Sequence, residues 1–180
     1  NRADPLAAGG AVNNYMYMIK DRAVAVASGA DSEVDHGDFG DVTNTCLEVG
    51  AECTANLTYG WKLGLAAGTE LSLASPLTIG GVSYFTTYLS PGASLEEACG
   101  PDEGSGRIYA VRLENAAAVR NYDTTTDALE RFDELKSQGI PAEAISLPPD
   151  GILKPDLSIE KTDVTTRLRT FWLEAEDGSL

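Results

Sequence analysis

The sequence predicts a mainly β fold, a partial β-propeller with one short helix near the C-terminus. Three observations lead there. Leu77-Thr78-Ile79 and Val82-Ser83-Tyr84-Phe85 flank Gly80-Gly81, a strong hairpin signal between β-branched and aromatic runs. Gly106-Arg107-Ile108-Tyr109-Ala110-Val111-Arg112-Leu113 reads as the next strand of the same blade. No exact internal repeat is present, and a chain of 180 residues holds at most about four blades of about 45 residues. The strand signals support fewer, and a propeller closes with about four to eight blades. The chain is therefore expected to be one segment, 1–180, of something larger. Residues 15–115 would carry blade strands and loops, and residues 116–180 a helix, a linker and a closing strand.

The elements follow in order. Residues 1–13 are rich in Ala and Gly and read as an arm or loop. From 15 to 27, Tyr15, Tyr17 and Ile19 alternate with Met16, Met18 and Lys20, and Val24 and Val26 with alanines, which predicts a strand or hairpin. Residues 28–60 hold many Gly, Asp, Ser, Asn and Thr and predict a long irregular excursion. Residues 60–65 form a short strand with Trp61, Leu63 and Leu65 on one face, and residues 71–88 the glycine-turn strand pair. A second loop, 90–106, leads into a strand over 107–114. Leu129, Phe132 and Leu135 then recur every three residues. With Asp127 and Glu130 as a capping box and Gly139 before Pro141 as a stop, they predict an amphipathic helix over 127–139. A short apolar piece at 144–147, a turn-rich linker at 150–156 and a final strand at 165–175 complete the chain.

Composition narrows the function. The formal net charge is −15, from 28 acidic and 13 basic residues. That argues against a nucleic-acid partner, whose phosphates demand clustered Lys and Arg, and against an anionic membrane surface. No run of about 18 apolar residues exists to cross a bilayer. Asn1 is no initiator and the first residues lack a signal pattern, so a processed start is expected. Cys46 and Cys53 are spaced for a small disulfide loop in an oxidising compartment, with Cys99 left over. No C-x-x-C pair is present, which argues against metal binding by the cysteines.

The best candidate site is the acidic loop that holds Asp31, Glu33, Asp35 and Asp38, whose carboxylates are spaced to offer oxygen ligands to Ca²⁺. It departs from the calcium loop of EF-hands: Glu33 stands where Asp or Asn belongs, His36 where Gly does, and Val42 where the closing Glu does. The alternative is a solvated acidic loop. Asp102-Glu103-Gly104-Ser105-Gly106 reads as a tight turn, and Asn56-Leu57-Thr58 matches the glycosylation tripeptide. His36 is the lone histidine and has no Ser or Cys pattern nearby, so no nucleophile–base pair is expected. The chain has no G-x-S-x-G, P-loop or dinucleotide fingerprint. No catalytic and no cofactor-binding residue is expected. Trp61 and Trp172 are expected to anchor the core.

One family combines these features. The run Ser75-Pro76-Leu77-Thr78-Ile79-Gly80-Gly81-Val82-Ser83-Tyr84-Phe85-Thr86-Thr87-Tyr88, then Cys99, then Gly104-Ser105-Gly106-Arg107-Ile108-Tyr109-Ala110-Val111, resembles the C-terminal propeller of PilY1-type proteins of type IV pili. Tyr17-Met18-Ile19-Lys20-Asp21-Arg22 upstream is similar to a strand of that region. Gly139-Ile140-Pro141-Ala142-Glu143 and Leu147-Pro148-Pro149-Asp150 are similar to its tail. The resemblance covers most of residues 15–155 and implies quinoprotein-like blades, a place at the pilus tip after export through the periplasm, and a non-enzymatic role in adhesion and pilus assembly. It implies as partners the remaining blades, on the same precursor or another chain, minor pilins, and a host or surface ligand. It also implies a regulatory Ca²⁺ loop whose pattern this sequence lacks. Two other readings remain: a fragment of a quinoprotein-type dehydrogenase propeller, and a secreted β-rich structural subunit.

Overall fold

The computed structural model of the chain describes residues 13–21, 34–48, 50–66, 69–90, 104–123, 125–148 and 150–162. These form eleven strands in three open sheets, with a single 3₁₀ turn, His36–Asp38. The mainly β expectation holds. Among the described residues no helix is long and apolar enough to cross a membrane.

The central sheet is built on the predicted hairpin. β5 (Leu77–Ile79) turns through Gly80 and Gly81 into β6 (Val82–Leu89). Both glycines have positive φ, 58° and 79°, as a two-residue turn of matching twist requires. β6 pairs antiparallel with β7 (Ser105–Arg112) along its whole length, and β7 with β8 (Phe132–Gln138). β4 (Glu70–Leu71) takes the far end of the β6 edge that β5 also uses. Two smaller sheets flank this one. In the first, β3 (Gly60–Gly64) lies between β1 (Tyr15–Ile19), antiparallel, and β2 (Gly40–Asp41), parallel. The second is an antiparallel meander of β9 (Ile145–Leu147), β10 (Gly151–Leu153) and β11 (Ile159–Lys161).

Strand alternation sends neighbouring residues of β6 and β7 to opposite faces, and both faces are buried. Phe85, Tyr109 and Val111 join Trp61, Leu63, Leu65 and Val42 in one core cluster against the β1–β3–β2 sheet. Tyr84, Ile108 and Ala110 join Leu135, Ala144 and Ile152 in a second, against the meander. The molecule is thus three layers deep with two cores. Trp61 anchors the first, as expected. It is 1% exposed and its indole N–H donates to the Leu113 carbonyl at 2.8 Å. Phe85 and Tyr109, in register across the two strands, stack at 4.6 Å between centroids, and Phe132 continues the row 5.3 Å from Tyr109.

Two expectations are corrected. The helix over 127–139 is not formed, because β8 occupies its centre. A helix there would gather three apolar residues on one stripe, and so short a helix is marginal without tertiary packing. As a strand, Phe132 reaches the first core and Leu135 the second, and the free edge of β7 satisfies the backbone. The linker at 150–156 contains β10, the middle strand of the meander, whose Ile152 is fully buried. The expected strand at 165–175, with Trp172, lies outside the described residues, as do Cys99 and the second half of the 15–27 element.

Candidate functional site

Of the four carboxylates expected to hold Ca²⁺, Asp31 and Glu33 lie outside the described residues. Asp35 precedes the 3₁₀ turn, Asp38 is its last residue, and the two are tied to each other through it. The Asp35 amide donates to Asp38 Oδ2 at 2.8 Å, and the Asp38 amide to the Asp35 carbonyl at 2.9 Å. Asp38 therefore caps its own turn, and one of its oxygens is already in use. Among the described residues no three of His, Cys, Asp and Glu converge as a metal set.

The turn positions His36 over the outer face of β1 and β3. The Lys62 ammonium stands 3.0 Å from His36 Nε2 and also donates to the His36 carbonyl at 3.0 Å. An ammonium can only donate, so Nε2 accepts, and Nδ1–H then donates to the Tyr17 hydroxyl oxygen at 2.6 Å. Tyr15 and Tyr17 meet the imidazole edge to face, at 5.0 and 5.9 Å. Both ring nitrogens are thus committed to structural partners. Beside them, the hydrogen bonds from Thr43 hold the Asp41 carboxyl below the usual carboxylate range, against a smaller opposing effect of burial, with the Lys62 ammonium adding to the depression.

Sequence reasoning missed the most buried charge. Glu70 is 0% exposed where β4 meets the edge of β6. Oε1 accepts from the Thr87 hydroxyl at 2.6 Å and the Tyr109 hydroxyl at 2.9 Å. Oε2 accepts from the Ala66 amide at 2.8 Å and faces Arg107 Nη1 at 3.4 Å. Burial first, then the Glu70 charge, push the Tyr109 phenol far above its ordinary value, so it stays a donor at any physiological pH. Arg107 also lies 4.3 Å over the Phe132 ring and 3.6 Å from Glu134. Glu70 therefore pins three strands together. Both oxygens have donors and Glu70 has no accessible surface, so the cluster is structural.

A second polar centre closes the cysteine loop. Cys46 and Cys53 are joined, as their spacing predicts. Arg131, just before β8, donates to the carbonyls of Thr43 at 3.1 Å, Thr45 at 2.7 Å and Cys46 at 2.9 Å. Burial lowers the Arg131 guanidinium from its usual value, and these carbonyls take the place of water around it.

The described residues define a class, a layered, mainly antiparallel β protein with a disulfide-closed loop. Comparison of the chain with family models, with curated proteins and with solved structures finds no match.

Proposed function

We propose that the chain is a propeller segment of a PilY1-type protein, acting without catalysis at the tip of a type IV pilus in adhesion and pilus assembly. The observation that carries this reading is the two-sided burial of β6 and β7. A four-stranded antiparallel meander, β5 to β8, packed on each face by another sheet, is what a blade between neighbours requires. The disulfide supports an oxidising compartment, as export through the periplasm would provide. The remaining blades, minor pilins and a host or surface ligand are its proposed partners. Ca²⁺ at the loop of Asp31, Glu33, Asp35 and Asp38 belongs to the same proposal. Immunogold labelling of piliated source cells with antibody to this chain tests the reading. Gold at pilus tips is expected, and labelling confined to the cell interior contradicts it.

A further inference from the structure

A cleft of about 610 Å³ opens between the end of β1, the β5–β6 turn and the exit of β7. Pockets for small molecules span about 300–1,000 Å³. Its wall is apolar, with Met18, Ile79, Val82, Leu113 and Val119, while Lys20, Arg112 and Arg120 stand among its polar residues with Glu114. Three cations at one cleft are notable in a chain of net charge −15.

The cations are not equivalent. Arg120 already faces Glu160, Nε to Oε1 at 2.9 Å. Arg112 has a looser partner: Glu114 lies 3.7 Å away with 71% of its side chain exposed. An exposed pair of that kind contributes little, so an incoming anion displaces it at small cost. The buried Nε of Arg112 meets no acceptor among the described residues. Lys20 donates to the Leu57 carbonyl at 3.0 Å, and an ammonium carries further donors.

We propose that this cleft binds a small organic anion, its apolar body against Val82 and Leu113 and its carboxylate against the Arg112 guanidinium, with Lys20 adding attraction. Guanidinium–carboxylate pairing supplies direction, and the apolar wall supplies contact area. The proposal stands independently of the pilus reading.

Paired fluorescence titrations of the whole chain test it. One probe is 1-anilinonaphthalene-8-sulfonate, and the other is N-phenyl-1-naphthylamine, the same aromatic body without the charge. The sulfonate should bind saturably at one site, at least about tenfold more tightly than the neutral probe, and decanoate should displace it. Arg112→Gln should weaken the sulfonate about tenfold and leave the neutral probe unchanged, with partial recovery in Arg112→Lys. Leu113→Glu places a carboxylate in the cleft at a residue already 38% exposed and should abolish sulfonate binding, which keeps the test alive if the Arg112 variants fold poorly. Absent or non-saturable binding, equal affinity for the two probes, or indifference to Leu113→Glu would overturn the proposal.

Discussion

Glu70 and Glu134 both lie within reach of Arg107, and their surroundings make them unequal. Glu70 is fully buried and holds donors from Thr87, Tyr109 and Ala66, whereas the Glu134 side chain is 74% exposed. Removing Glu70 leaves the Thr87 and Tyr109 hydroxyls and the Ala66 amide without their acceptor and takes from Arg107 its buried partner, a loss on the order of 3–5 kcal/mol. An exposed pair contributes about 0–1 kcal/mol. Glu70→Ala should therefore lower unfolding stability by about 3–5 kcal/mol in denaturant titration, and Glu134→Ala by less than about 1. Equal effects would refute this account of the cluster. Asp41 supplies a pH signature. Its folded carboxyl sits below the ordinary range, so its contribution is present above the unfolded value of about 4 and is lost as pH falls through the folded one. The melting difference between wild type and Asp41→Asn should be constant near pH 7 and shrink below about pH 4. A difference that persists unchanged to pH 2 contradicts it.

At the scale of elements, legibility tracked how local each cause was. The β5–β6 hairpin and β7 were readable because Gly80-Gly81 and the β-branched and aromatic runs encode their own conformation. The disulfide was readable from spacing alone. β8 was misread because its cause is remote: the free edge of β7 and two cores on opposite sides outweigh a local helix pattern. β10 is three residues long and sits among turn formers, too short to show alternation. Glu70 gave no signal at all, since a lone Glu beside Thr69 cannot announce donors that lie 17 and 39 residues away. Of the acidic loop, the sequence showed the carboxylates but not that Asp38 would cap its own turn. Arg131 joins the cysteine loop to β8 by three carbonyl contacts. Arg131→Met should leave those carbonyls short of a donor and speed reduction of Cys46–Cys53 by dithiothreitol at least about threefold, since hydrogen bonds from a charged donor contribute about 1.5–3 kcal/mol each. Unchanged reduction kinetics would show that the loop closes without Arg131.

Among the described residues of the whole molecule, the middle layer is covered on both faces and the outer layers are open. β6 and β7 are buried on both faces, while Ile145 and Ile159, in register with Leu153 across the meander, are 53% and 64% exposed. On the other side Ile19 is 68% exposed. Aliphatic side chains on an outer sheet face, together with strand edges that have no partner strand among the described residues, favour association with further β structure. That is the behaviour expected of a propeller segment separated from its neighbouring blades, and it bears on the central claim more directly than any single substitution. Sedimentation velocity combined with thermal melting of the 180-residue chain provides the measurement. The account predicts concentration-dependent association and a broad transition. A compact monomer at all concentrations, with one sharp and reversible melt, would contradict it.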